Sequence, residues 1–345
     1  MARVWRIGLI GFGNVGQGFV RILARKEAVL RERYGLRFKV VGIADPIKGS
    51  AYDPEGLDLR EIVSLLDRDG NIKAFSGRKD IDSLFLCRSP DVDVIAEATP
   101  TNIETGEPGL THIREALRNG KHVITTNKGP IALAYRELRR LAEERGVFLR
   151  FEGVVLSGTP SLNLALEAMA GVDISRIEGI VNGTTNFILT KMEEGMSYEE
   201  ALREAQRLGY AEADPTADVE GWDAAVKAVI LANVVMGASI GIKDVEREGI
   251  TGVTLDDIKK AREEGCRIKL IAEVWREGSS VKASVKPKKV PLTHPLASVM
   301  GATNALTFHT DHLGQVTIVG PGAGRIETGQ ALLTDLLAIH RLARE

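Results

Sequence analysis

The stretch Gly11-Phe12-Gly13-Asn14-Val15-Gly16 constrains this chain more than any other. It follows an apolar run at residues 4–10 and opens an amphipathic segment at 16–33, so the glycines fall where a strand turns into a helix. In that setting the first glycine allows the tight turn, the second lets the backbone approach a pyrophosphate, and the third packs helix on strand. The N-terminus of the following helix attracts the phosphate charge. Asp45 closes the next apolar run, residues 38–44, where a carboxylate bonds a ribose 2′-hydroxyl and repels a 2′-phosphate. It lies beyond the usual spacing of about 20 residues, which a long first helix accounts for. Lys48, three residues on, is able to accommodate a 2′-phosphate, so NAD and NADP both stay open. The blander readings are a structural glycine turn and a turn initiated by Asp45-Pro46.

The alternation continues, with strands expected at 92–97, 121–125 and 147–151 and helices at 111–118 and 130–145. Such alternation argues for a parallel sheet with helices on its faces. Residues 47–79, rich in Gly and Asp with a helical patch at 59–66, read as an elaborated crossover. Past Glu152 the rhythm changes. Helical segments at 161–169, 185–194, 198–208, 221–236 and 255–264 mix with strands at 174–181, 268–274, 281–285, 305–308 and 316–319. The expected class is α/β: a Rossmann-type doubly wound parallel sheet, 1–150 plus about 320–345, and an α+β domain, 151–319. A last helix at 327–343 returns to the first domain.

Composition narrows the function. The 345 residues suit two domains, and 44% hydrophobic with 27% charged residues is ordinary for a soluble globular protein. No stretch approaches the roughly 20 apolar residues of a membrane span, and the N-terminus lacks signal-peptide architecture. A net charge of −2 offers no basic field for nucleic acid. Cys87 and Cys266, the only cysteines, stand in no metal spacing and point to a reducing compartment, the cytoplasm.

The polar ends of the predicted strands are the candidate site. Glu97-Ala98-Thr99-Pro100-Thr101-Asn102 leaves one strand where ligands bind in open α/β sheets, and Thr99 and Asn102 suit the nicotinamide side of a cofactor. Thr125-Thr126-Asn127-Lys128 ends the next strand; Lys128 either serves that site or snorkels to solvent. The most informative stretch runs from Ala205 to Lys227 and packs several carboxylates around a turn leading into an apolar helix. Asp223 and Lys227 are one helical turn apart and can touch. A solvated salt bridge is the ordinary reading of such a pair. Val226, Ala228, Val229, Ile230 and Leu231 make the helix apolar on most faces, so a lysine there needs a reason. An amino-acid substrate supplies one, with carboxylates for its ammonium and a lysine for the reacting oxygen.

This stretch resembles the homoserine dehydrogenase family, whose pattern A-x3-G-Y-x3-D-P-x2-D-V-x-G-x-D-x3-K it matches without a gap. The resemblance extends to the N-terminal glycine turn, Thr126-Asn127-Lys128, Asn182-Gly183-Thr184-Thr185-Asn186 and Gly320-Pro321-Gly322-Ala323-Gly324. It implies NAD(P)-dependent interconversion of L-aspartate 4-semialdehyde and L-homoserine by hydride transfer at C4, in threonine, methionine and isoleucine biosynthesis. It implies Lys227 as the acid/base, Asp223 as its orienting partner, and Lys128 between nicotinamide and substrate. Glu212 would bind the substrate ammonium with Asp218 in support. Asn182 and Thr184 would lie beside the substrate, in a turn that also reads as a helix cap. Gly209 and Gly324 would approach the cofactor. A monovalent cation (Na+) would be held by Glu152 and the carbonyls of Val155, Ser157 and Thr159, in a loop that otherwise reads as a plain turn. The family further implies a homodimer built through the second domain's sheet, which would make that domain both catalytic and dimerising. The chain ends just past its last helix and has no kinase domain ahead of the glycine turn, which fits a short monofunctional form without a C-terminal regulatory domain.

Two other readings are distinguishable. An aldehyde dehydrogenase working through a thiohemiacetal needs a cysteine nucleophile with a nearby base. Cys266 has no histidine beside it in sequence, and Cys87 lies in the first domain. A non-enzymatic NAD-sensing regulator would keep the glycine turn and have no use for Glu212, Asp223 and Lys227.

Overall fold

The computed structural model describes residues 3–343. The chain divides into two compact units, Met1–Gly158 with Gly324–Glu345, and Thr159–Ala323.

In the first unit β1 (Val4–Ile10) leads into α1 (Asn14–Tyr34), β2 (Arg37–Ala44) and the short β3 (Ala51–Tyr52). There follow α2 (Leu59–Asp69), α3 (Ser83–Arg88), β4 (Val94–Glu97), α4 (Gly109–Arg118), β5 (His122–Thr125), α5 (Lys128–Arg145), β6 (Leu149–Arg150) and α6 (Gly153–Leu156). The sheet order is β3-β2-β1-β4-β5-β6, parallel except for β3. The order reverses between β1 and β4, which puts the ligand-binding crevice at the carboxyl ends of those strands. Alternation along β1 explains the two-faced core. Trp5, Ile7 and Leu9 pack with Phe19 and Leu23 of α1, while Ile10 packs with Ile95, Ile113 and Val123 on the other face.

The last helix belongs to this unit, as its apolar stripe requires. Leu332, Leu336 and Ile339 join the core on the α1 face. Gly18 and Gly329 allow the crossing: a Cβ on Gly18 would lie 2.0 Å from the Arg325 carbonyl, and one on Gly329 2.6 Å from the Phe19 nitrogen.

The second unit contains α7 (Ser161–Asn163), β7 (Ile174–Ile180), α8 (Gly183–Glu193), α9 (Tyr198–Arg207), α10 (Thr216–Val219) and α11 (Trp222–Ile230). It continues with β8 (Val245–Arg247), α12 (Leu255–Glu263), β9 (Cys266–Glu277), β10 (Ser280–Pro291), β11 (Thr303–Thr310) and β12 (Gln315–Pro321), and α13 (Arg325–Leu342) then returns to the first unit. The sheet order is β12-β11-β7-β9-β10-β8, antiparallel apart from the β8–β10 pair. The class is therefore the expected α/β type with an α+β second unit.

Three details differ from the sequence expectations. The helices expected at 161–169 and 221–236 are each α-helical only at the start and continue as π-turns, Leu164–Ala168 and Leu231–Val235. Residues 153–156 form a helix where a loop was expected. Strands β9 and β10 are 12 residues each, longer than 268–274 and 281–285. The expected strand ends at residue 285, ahead of Pro287, yet Pro287 pairs with Leu270. Strand β8 lies beside β10 only at 283–285, so Pro287 occupies a stretch with no strand on its other side, where a missing N–H is tolerated.

Candidate active site

The glycine turn of the first unit is shaped for an anion. Gly11 has φ +86, and a Cβ there would lie 2.6 Å from the Ala98 backbone. A Cβ on Gly13 would meet nothing within 4 Å, so the backbone there is open. No side chain caps α1 and no acid stands in its first turn, leaving its amide end for a phosphate. Asp45 fixes this turn. Its Oδ2 accepts from the Phe12 amide at 2.6 Å, while Oδ1 accepts from the amides of Ile47 (2.8 Å) and Lys48 (2.7 Å). The Lys48 ammonium donates instead to the Gly70 carbonyl at 2.9 Å.

At the ends of β4 and β5 a second polar group assembles around Glu97, which is 0% exposed. The Thr99 amide and hydroxyl donate to its Oε1, and the Thr125 hydroxyl donates to Oε2 at 3.1 Å. Asn127 caps α5 through the Gly129 amide and donates to the Thr99 carbonyl and hydroxyl, both at 3.3 Å. Lys128 is the first residue of α5, half-buried. Sequence reading singled out Thr99, Asn102 and Lys128 and gave Glu97 and Asn127 no role; Asn102 here accepts from the Glu104 and Thr105 amides, both at 2.9 Å. An acid as the last residue of an apolar strand was the available signal, because a carboxylate so placed must be bonded if it is buried.

The second unit gathers the carboxylates around Lys227. Asp223 stands in the first turn of α11 and Lys227 one turn later, on a helix otherwise buried from Ala224 to Ile230. Lys227 is only 7% exposed, and its ammonium donates to Asp223 Oδ2 at 2.7 Å and to the Val181 carbonyl at 2.6 Å. Asn182 knots the site together. Its Oδ1 caps α8 by accepting from the Thr185 amide at 2.9 Å, while its Nδ2 donates to Asp218 at 2.6 Å and Asp223 at 3.1 Å. Thr184 donates to the Tyr210 carbonyl at 2.6 Å, tying α8 to the loop after α9. Burial, and then the neighbouring Asp223 charge, raise the Asp218 pKa above the usual carboxylate value; the bond from Asn182 and the Lys227 charge oppose that rise.

The residues singled out from the sequence are not all joined. Asn182, Asp218, Asp223 and Lys227 form one bonded group, with the Thr184 side chain beside Asp218. Glu212 is exposed on the loop after α9, and Gln206 holds that loop by donating to the Glu212 and Ala213 carbonyls. Gly209 follows α9 with φ +77, and Gly324 precedes α13. Glu152 is buried just ahead of α6, and its amide donates to Asp335 at 2.8 Å. Ser157 has φ +54, the one non-glycine residue with positive φ among the described residues.

A dinucleotide-binding sheet, joined in one chain to a unit with a buried lysine–carboxylate cluster, defines a nicotinamide-dependent oxidoreductase acting on a CH–OH group. Comparison with known proteins makes the assignment specific: the chain belongs to the homoserine dehydrogenase family. The profile of the homoserine dehydrogenase domain matches residues 160–337, and that of the family's NAD-binding domain matches residues 11–152. The NAD(+)-dependent homoserine dehydrogenase of Pseudomonas canavaninivorans is 45% identical over 98% of this chain and 97% of its own length. The homoserine dehydrogenase of Methanocaldococcus jannaschii is 44% identical over 98% of this chain and 99% of its own. A hyperthermophilic archaeal homoserine dehydrogenase mutant, solved in complex with NADPH, matches with a TM-score of 0.85 and 31% identity, covering 99% of this chain and 98% of that one. Homoserine and aspartate semialdehyde are the substrates of this family. Among the described residues no helix is long and apolar enough to cross a membrane.

Proposed function

We propose that the chain interconverts L-homoserine and L-aspartate 4-semialdehyde with Lys227 as the acid/base, in the biosynthesis of threonine, methionine and isoleucine. One observation carries this reading: an ammonium 7% exposed, held by Asp223 and the Val181 carbonyl and flanked by Asp218 and Asn182. When bound, the nicotinamide supplies or takes the hydride at C4. Lys227 donates a proton to the carbonyl oxygen in reduction and, once neutral, accepts the hydroxyl proton in oxidation. Asp223 holds its ammonium in place. Asp218, with Glu212, answers the substrate ammonium, whose charge favours the ionised form that burial opposes. Lys128 and Thr99 serve the nicotinamide side, and Gly209 and Gly324 approach the cofactor through their own backbones.

The cofactor reading follows from Asp45. Three amides hold its carboxylate at the end of β2, while the Lys48 ammonium is engaged at Gly70, so NAD is used at least as well as NADP. The Pseudomonas relative, named as NAD(+)-dependent, is in keeping with this. Glu152 with the carbonyls of Val155, Ser157 and Thr159 suits a monovalent cation such as Na+. The donors are hard oxygens with one carboxylate, the kind that suits a hard cation. A homodimer through the second unit's sheet and a cytoplasmic location complete the proposal. In support of the former, Leu313 and Val319 stand exposed on the β11–β12 hairpin. Initial rates with homoserine and each cofactor test the reading. Turnover of homoserine with NAD is expected, and cofactor binding without turnover would refute it.

A further inference from the structure

Among the described residues Lys269 is the one lysine in the set of largest fully buried side chains, at 0% exposure on β9. Nothing in the proposed chemistry uses it. Its ammonium donates to Asn186 Oδ1 at 3.0 Å and to the Val299 carbonyl at 2.8 Å, with Met300 Sδ at 3.5 Å. An ammonium has only donors, so it requires the oxygen of the Asn186 carboxamide and turns the amide nitrogen the other way. That nitrogen donates to the carbonyls of Val299 (3.2 Å) and Thr303 (3.1 Å). The Thr190 hydroxyl donates to the Asn186 carbonyl at 2.7 Å and accepts from the Gly301 amide at 3.0 Å. Residues 299–303 are thus sewn along the first two turns of α8. The fit is close: a Cβ on Gly183 would lie 2.7 Å from the Ala302 carbonyl.

The first turn of α8 is also where Asn182 caps the helix and reaches Asp218 and Asp223. We propose that Lys269 and Asn186 are a positioning pair for the substrate site. Lys269 orients the Asn186 carboxamide, which clamps residues 299–303 to α8 and so sets Asn182 against the two carboxylates beside Lys227. The proposal rests on the reading of that cluster as the substrate site. Burial lowers the Lys269 pKa to about 8; Glu193 at the end of α8 opposes the shift and Arg267 adds to it. Lys288, directly opposite on β10, directs its ammonium to Glu273. The clamp is charge-assisted below about pH 8 and neutral above it.

Lys269→Met and Asn186→Ala test the pair, separately and together. Loss of a hydrogen bond to a charged group predicts a rise of roughly tenfold or more in KM for homoserine, with kcat within about threefold and cofactor Kd unchanged. The double variant should be no worse than the weaker single one, because the two side chains act as one unit. In the wild type KM should climb as pH passes through about 8, and in Lys269→Met that climb should vanish. An unchanged KM in folded Lys269→Met, additive effects, or equal weakening of cofactor binding would each overturn the proposal. If Lys269→Met does not fold, Asn186→Ala and the wild-type pH series decide alone. Lys227→Met separates the two levels: activity surviving there defeats the site reading, whereas activity lost there with KM untouched at Lys269 and Asn186 defeats only the positioning pair.

Discussion

Replacing Lys227 with methionine keeps most of the side chain's length and apolar stem while deleting the ammonium. The structure sets two consequences of different size. The proposed proton donor is gone, and general acid–base catalysis is worth about 10²–10⁴ in rate. At about 1.4 kcal/mol per decade that is about 3–5.5 kcal/mol of transition-state stabilisation. Asp223 also loses its cation and keeps the Asn182 bond at 3.1 Å. Removing one partner of a buried ion pair costs about 3–5 kcal/mol, less where the stranded carboxylate takes up a proton. A net loss of about 2 kcal/mol would lower the Tm of the unit that holds Lys227 by about 4–8 °C, the scale for a unit of roughly 150–250 residues. The assay is steady-state kcat in both directions, with cofactor Kd from nicotinamide fluorescence and Tm measured on the same preparation. The expected result is kcat reduced by at least about 10² with cofactor Kd unchanged. A kcat within a few-fold of wild type in folded protein that binds cofactor normally would refute the acid/base assignment.

Four further outcomes are expected. Glu212→Gln should raise KM for homoserine by roughly 10- to 100-fold, the value of a hydrogen bond to a charged group; an unchanged KM with weakened cofactor binding would move Glu212 out of the substrate site. Asp218 has a raised folded pKa, so the stability it contributes is present at low pH and lost as pH rises through that pKa. Asp218→Asn should therefore raise Tm at pH 7 while increasing KM for homoserine, and a lower Tm would contradict the burial argument. Asp45→Ser should shift kcat/KM toward NADP by a few-fold, on the scale of about 0.2–1 kcal/mol for a solvated charge interaction. Loss of the Phe12 bond should weaken both cofactors alongside; an unchanged preference would show that the carboxylate faces away from the ribose. His122 has its pKa lowered to about 4 by burial, and its Nδ1 accepts from the Phe148 amide. Its contribution is present above about pH 6.5 and is lost as pH falls toward 4, amounting to at most roughly 3 kcal/mol. Acid unfolding followed by circular dichroism should have a shallower pH dependence in His122→Gln, and an identical slope would count against this account.

Several features were legible in the residues alone because they rest on neighbours close in sequence. The glycine turn at 11–16, the acid at 45 closing a strand, and Asp223 one helical turn from Lys227 are local geometry, and periodicity alone marks an α+β second unit. Tertiary structure decided what these groups touch. Asp45 binds a turn 33 residues earlier, and the Lys48 ammonium lies on a carbonyl 22 residues later, neither of which periodicity encodes. Asn182, in a turn that by sequence reads as a helix cap, reaches carboxylates 36 and 41 residues away, and Lys227 reaches a carbonyl 46 residues back. By sequence neither Glu97 nor Lys269 had a role of its own; only the fold reveals them as buried, with partners from other strands and helices satisfying them. A sequence shows which groups can ionise or bond, but the cost of burying them, and so their role, depends on partners that chain folding alone brings within 3 Å or so.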